Sequence, residues 1–185
     1  FSYSNSYIKS KSSLKKFDVD SYQINFYGSY DFGKYFVNSL AGIAFNKYSS
    51  NRTIVDEGTV ANADYSGKTY IARIEGGSNY KLINNFILTP TLAITAARNE
   101  VANYSETGAG SSGLNVSNDN INFFETRAGI ELSKEFAISK TDKMRPKILA
   151  SYGYDFAGDK QRATSNFIGQ SASFQSSGSN VMKES

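Results

Sequence analysis

Polar and apolar residues alternate with a period of two along most of the chain. Ser21, Gln23, Asn25, Ser29 and Asp31 interleave with Tyr22, Ile24, Phe26, Gly28, Tyr30 and Phe32, and Tyr27 alone interrupts the polar series. A short break at Gly33 and Lys34 leads into Tyr35 to Tyr48, where Tyr35, Val37, Ala41, Ile43 and Phe45 oppose Asn38, Gly42 and Asn46. The two segments predict a tight hairpin with one greasy face. A polar stretch from Ser49 to Gly67 reads as a long loop. Alternation resumes with Tyr70, Ala72, Ile74, Gly76, Ser78 and Tyr80 against Ile71, Arg73, Glu75, Gly77 and Asn79. Beyond a short connection at Lys81 to Asn85, Phe86, Leu88, Pro90, Leu92, Ile94 and Ala96 oppose Thr89, Thr91, Ala93 and Thr95. A second polar loop, Ser105 to Asn120, precedes Phe124, Ala128, Ile130 and Leu132 against Glu125, Arg127, Gly129 and Glu131. The last clear segment sets Pro146, Ile148, Ala150, Tyr152, Tyr154 and Phe156 against Lys147, Ser151, Gly153 and Asp155. About seven strands are predicted, with an eighth near Phe167 to Phe174.

Connection lengths sharpen this. They run long (Lys9 to Val19), short, long, short, long, intermediate (Ala137 to Met144) and long again. That asymmetry belongs to outer-membrane barrels, which have short periplasmic turns and longer extracellular loops. Tyr30, Phe32, Tyr35, Phe36, Tyr80, Phe86 and Phe136 lie beside the short connections, and Tyr7, Tyr48, Tyr70, Phe123, Tyr154 and Phe156 toward the long ones, as two aromatic girdles would. The fold expected is all-β: an antiparallel up-and-down transmembrane β-barrel, of which this chain supplies about 7–8 strands. Its alternative is a soluble β-sandwich or lipocalin-like binding domain. Against that stand the long strands and the charges Arg73, Glu75, Glu125, Arg127 and Glu131 on the second face. A narrow soluble barrel would fill that face with apolar side chains, whereas a wide membrane barrel has a wet lumen.

Composition removes other classes. The 185 residues include no Cys and no His, so disulfides, thiolate nucleophiles, His-based zinc sites and a Ser-His-Asp arrangement are all absent. The 20 basic and 17 acidic residues are interspersed, with no stripe suited to phosphate backbones, so nucleic acid is not an expected partner. Apolar runs such as Leu40 to Phe45 fall far short of the ~20 residues of a membrane-crossing helix. The mean hydropathy of −0.42 suits alternating strands. The chain opens at Phe1 inside an alternating segment, without Met or signal peptide, and is read as part of a longer protein.

Three motifs carry little. Gly108-Ala109-Gly110-Ser111-Ser112-Gly113 spells a dinucleotide fingerprint, with Glu131 near the distance of a ribose-binding acid, but it opens a β-patterned run and no helix. It is read as a flexible loop. Asn51-Arg52-Thr53, Asn103-Tyr104-Ser105 and Asn115-Val116-Ser117 match a glycosylation spelling common by chance in an Asn- and Ser-rich chain. The inward charges could be acid-base machinery, but no nucleophile accompanies them, and a pore lining is the simpler assignment. Without a basic groove, the aromatic alternation does not read as a base-stacking surface. No catalysis, cofactor or metal is expected.

From Pro90 onward the sequence resembles the autotransporter translocator family of type V secretion. Leu88-Thr89-Pro90 enters a strand, and Tyr104-Ser105-Glu106-Thr107-Gly108 is similar to that family's Y-x-E-x-G. Arg127 to Leu132, Arg145-Pro146 and Tyr154-Asp155-Phe156 follow in matching order, and the segments before Pro90 fit more loosely. The resemblance implies a 12-stranded barrel with a linker helix threaded through its lumen, anchoring a passenger displayed at the cell surface. It implies outer-membrane lipid, the chain's own passenger and linker helix, and the barrel-insertion machinery as partners. It makes Tyr104, Glu106 and Gly108 motif positions and turns the pore-lining charges toward the helix. The Asn-, Lys-, Ile- and Ser-rich composition is similar to the rickettsial surface cell antigen group. Family members close on a terminal aromatic residue, where this chain has Lys183-Glu184-Ser185, so the resemblance is incomplete at both ends. A porin-like barrel or an adhesin without passenger is the alternative in membrane, and an outer-membrane enzyme would need a carboxylate-only mechanism.

Overall fold

The computed structural model describes residues 1–9, 14–139, 141–158 and 160–178. Its strands are β1 (Ser2–Lys9), β2 (Lys15–Asp31), β3 (Tyr35–Ile54), β4 (Thr59–Ser78), β5 (Tyr80–Lys81), β6 (Phe86–Val101), β7 (Tyr104–Ser105), β8 (Leu114–Asn118), β9 (Ile121–Lys134), β10 (Phe136–Ala137), β11 (Lys143–Met144), β12 (Lys147–Asp155), β13 (Arg162–Phe167) and β14 (Ser173–Ser177). The helical segments described are short 3-10 turns at Val55–Glu57, Ile83–Asn85 and Gly110–Ser112. One sheet runs β1-β2-β3-β4-β6-β9-β12, with β5 paired beside β6, and all its pairs are antiparallel. A second sheet, β14-β13-β8-β7, is built from what lies between β6 and β9 and after β12. Among the described residues the large sheet is open, with β1 and β12 as its edges.

Register assigns the two faces, because opposed residues share a side of the sheet. Tyr22 pairs with Phe45, Ile43 with Tyr70, Ile74 with Ile94, Leu92 with Ala128 and Ile130 with Ala150. These make the apolar face. Asn38 pairs with Glu75, Arg73 with Thr95, Ala93 with Arg127 and Arg127 with Gly153, which makes the polar face. The faces are those expected from the alternation.

Burial shows which face meets which solvent. Phe26 is 70% exposed, Leu92 55% and Ile148 75%, whereas the buried hydrophobic residues described are four alanines and Val116. Glu125, Thr89, Thr95, Asp155 and Ser133 are buried instead. The molecule is inside out, which rules out the soluble β-sandwich, since that fold needs an apolar core. The apolar runs are 22–30 of β2, 35–45 of β3, 70–78 of β4, 86–96 of β6, 124–132 of β9 and 148–156 at β12. Each has the ~9–11 residues that a tilted strand needs to cross hydrocarbon. At the lower rim, Lys34 Nζ lies 4.1 Å from the Tyr80 ring centre, and Lys134 Nζ lies 4.7 Å from that of Phe86 and 5.0 Å from that of Phe136. Amphipathic side chains of this kind suit an interface.

Several boundaries differ from expectation. The stretches read as long loops are largely paired strand: β2 begins at Lys15, four residues before Val19, and β3 and β4 meet at a tip of only Val55–Gly58. Residues 10–13 of the first loop lie outside the described residues, as do Lys183 to Ser185. Strands of 20 residues, about 66 Å long at ~3.3 Å per residue, extend well past a bilayer on the long-loop side. There the outward face is polar and the inward one mixes Ser50 and Arg52 with Tyr48, Ala61, Ala63 and Tyr65, so alternation is a weak signal while the backbone ladder continues. Ser105 to Asn120 holds β8, and Ala137 to Met144 is closed by the β10-β11 pair. The eighth strand at Phe167 to Phe174 is instead a turn, with Gly169 at φ +83°, joining β13 to β14. Three girdle residues also face inward: Phe36 shares a chamber with Arg73, Tyr48 stacks in a column described below, and Phe123 pairs with Ala97 on the polar face.

Candidate functional site

The polar face forms a chamber of about 400 Å³ across β3, β4, β6, β9 and β12. Arg73 and Glu75, two residues apart on β4, both point into it. Arg73 donates to Glu75 at 2.6 Å and to the Thr95 hydroxyl at 3.2 Å, and the Asn38 amide reaches Glu75 at 3.5 Å. On β9, Arg127 grips Glu125 with two donors at 3.0 and 2.8 Å and a third bond at 3.3 Å reaches Ser151. Gly153 makes room for that pair, since a Cβ there would lie 2.9 Å from Glu125 Oε2 and 3.0 Å from Arg127 Nη2. Glu131 meets Lys147 at 3.2 Å, and Arg145 donates twice to the Ser133 hydroxyl, at 3.1 and 2.9 Å. All five predicted pore-lining residues therefore line one polar wall. Charge pairs at such separations lower the cost of placing ions inside a barrel while keeping its surface wetted.

The three motif residues form a separate site above the membrane band. The Tyr104 ring stacks on Tyr65 with centres 4.1 Å apart and planes 6° from parallel. The stack continues through Tyr48, 5.1 Å from Tyr65, to Phe17, 5.7 Å further. Glu106, only 7% exposed, accepts from Arg52 Nε at 3.1 Å, from Arg52 Nη2 and from the Leu114 amide at 3.1 Å. Arg52 also donates to the Ser112 carbonyl at 3.1 Å. Thr107 and Asn62 exchange backbone hydrogen bonds at 2.8 Å each. Gly108 follows at φ +87°, where an added Cβ would stand 2.7 Å from the Val60 carbonyl, so only glycine fits the turn against the wall. Burial raises the Tyr65 and Tyr104 phenols above their ordinary range, and neighbouring groups add to it: Tyr104 acts on Tyr65, and Glu106 on Tyr104.

Arg52, Tyr65, Arg145 and Lys147 complete these two sites without having been expected in them. Arg52 and Tyr65 fall in the polar stretch read as a loop, and only the register of β3 with β4 brings them to Glu106 and Tyr104. Lys147 was visible on the second face, but nothing local pairs it with Glu131. The glycine-rich Gly108 to Gly113 spelling is a structural turn ending in a 3-10 segment and leading into β8.

A family model for the autotransporter β-domain matches residues 1–184. Among solved structures, the translocator domain of the autotransporter NalP from Neisseria meningitidis superposes with a TM-score of 0.64 at 17% identity, over 92% of this chain and 65% of that one. The β-domain of the Bordetella autotransporter BrkA gives a TM-score of 0.62 at 15% identity, over 91% of this chain and 71% of the other. This chain thus spans about two thirds of the NalP barrel, and the sequence matches none of the curated proteins. The inside-out sheet carries the barrel architecture, and with the match along its whole length the chain belongs to the autotransporter β-domain family, whose place is the bacterial outer membrane.

Proposed function

We propose that this domain is the outer-membrane translocator and anchor of an autotransporter, helping to export an N-terminal passenger and holding it at the cell surface. The observation that carries the reading is the pairing of a lipid-facing apolar band with a charged inner wall. An extended or helical segment crossing such a lumen meets mainly paired charges and hydroxyls, with single apolar side chains such as Phe36 and Leu149 among them, so it can move and be held. The partners are outer-membrane lipid, the passenger with its linker helix, and the machinery that inserts barrels; no cofactor or nucleic acid takes part. These residues carry no catalysis in this reading, since Glu75, Glu125 and Glu131 are each engaged by a cation and Asp155 by two backbone amides. The composition supports a place near the rickettsial surface cell antigens, while the solved relatives are from Neisseria and Bordetella.

The test is surface display. The whole protein is produced in a Gram-negative host, and passenger reachable by external protease is compared with and without this domain. Passenger at the surface only when the domain is present is the expected outcome. A conducting barrel with no surface passenger would point to a porin-like protein, and the translocator reading would then be wrong.

A further inference from the structure

We propose that the sheet β14-β13-β8-β7 is a gate folded into the outer mouth of the lumen, latched to the wall by Arg52 and Glu106. It rests on the translocator reading for what passes, and it adds how passage is controlled. Above the membrane, Ser50, Ala61 and Ala63 lie on the lumen-facing side of β3 and β4 by register, yet they are 8%, 1% and 6% exposed. The second sheet stands over this face, since Leu114, Val116, Ala163 and Phe174 line one cavity with Ile8, Phe17, Arg52 and Tyr65. The covering segment is 104–118, and its buried apolar residues are Ala109 and Val116.

The fastenings all run between this segment and the β3-β4 wall. They are the Arg52 grip on Glu106 and on the Ser112 carbonyl, the Asn62–Thr107 backbone pair, a Ser112 to Glu57 hydrogen bond and the Tyr65–Tyr104 stack. Apart from the Tyr65–Tyr104 stack these are polar contacts that water or another backbone can replace, and the buried apolar side chains beside them are small. A packed core would be costly to open, and this contact is not one.

Space beside this wall is limited. The room left between the gate and Ile8, Lys15 and Phe17 is about 570 Å³. A helix ~10 Å across fills that volume within roughly one to two turns, so a segment leaving the lumen along this wall displaces the gate. Release of the Arg52–Glu106 latch swings segment 104–118, and with it β13 and β14, away from the wall.

The chain contains no cysteine, so N62C with T107C introduces one pair at directly opposed positions of an antiparallel bridge. Such positions lie ~5.5 Å apart at Cα, within disulfide reach. The whole protein carrying this pair is followed for passenger arrival at the surface, and the purified whole protein for conductance in a planar bilayer. E106Q is the second variant, with heat-modifiable migration as the check that it folds. Oxidation of the pair is expected to cut passenger arrival several-fold and reductant to restore it, and E106Q is expected to raise conductance several-fold. Equal arrival in oxidised and reduced cells, or unchanged conductance in folded E106Q, overturns the gate. Should the unlocked protein show no passenger outside, the translocator reading fails, and the conductance of E106Q alone decides the gate.

Discussion

At the residue scale, the motif positions act through partners far upstream, Arg52 lying 54 places before Glu106, and their chemistry can be tested by titration. The Tyr65 and Tyr104 phenols are raised because burial disfavours the phenolate, and Tyr48 beside them is raised for the same reason. A group with a folded pKa above its unfolded value, ~10 for tyrosine, stabilises the fold fully below that pH and less as pH rises through the folded value. Above about pH 10 the stack should therefore loosen while the membrane strands persist. Tyrosinate absorbance is expected to show a late fraction that Y65F and Y104F remove, accompanied by new amide exchange across 104–118. A titration with no late fraction would mean the stack is open to water. Tyr104, Glu106 and Gly108 were legible in the sequence through a short spelling, but Tyr65 and Arg52 were not. Their role comes from the pairing of Tyr48 with Tyr65 and of Arg52 with Ala61, and no local pattern encodes a register between two polar segments.

At the element scale, strand parity decides which substitutions the barrel tolerates. Leu92 lies near the middle of the 86–96 run on the lipid side, and its neighbour Thr91 faces the charged chamber. L92K should cost ~2–4 kcal/mol, the range for a cation at the midplane of a barrel's lipid face, whereas T91K should cost less than about 1 kcal/mol because it enters a wet wall. Urea unfolding in lipid vesicles measures both, and equal costs would reverse the assignment of faces. The same parity explains how far the strands could be read in advance. Where one side meets lipid and the other water, as from Tyr22 to Tyr30 or from Phe124 to Leu132, alternation placed each strand and each face correctly. Above the membrane the outer side is polar and the inner one mixes polar with small and aromatic residues, so Lys15 to Val19, Ser49 to Ile54 and Thr59 to Gly67 looked like loops although their backbones pair along their length. Inward aromatics misled for a related reason: Phe36 and Tyr48 sit at girdle height, and only parity separates a ring in lipid from one in the lumen.

At the scale of the whole molecule, direction matters as much as pairing. β2, β4 and β9 run toward the short turns, and β1, β3, β6 and β12 run away from them, so the two edges of the sheet point the same way. Joining β1 directly to β12 would need a parallel pair, whereas antiparallel closure needs an odd number of further strands between them. Neither edge can be left bare in hydrocarbon, where each unsatisfied N–H or C=O costs several kcal/mol. Exposed apolar side chains such as Phe26 and Ile148 likewise forbid a stable monomer in water. Residues 1–185 refolded by themselves in detergent are therefore expected to give no species whose electrophoretic migration changes on boiling. The same residues joined to strands that pair with Ser2–Lys9 and Lys147–Asp155 should give one. If residues 1–185 alone form a heat-modifiable, protease-resistant barrel, β1 and β12 must pair in parallel, and the antiparallel architecture argued for the closed protein would be wrong at its seam.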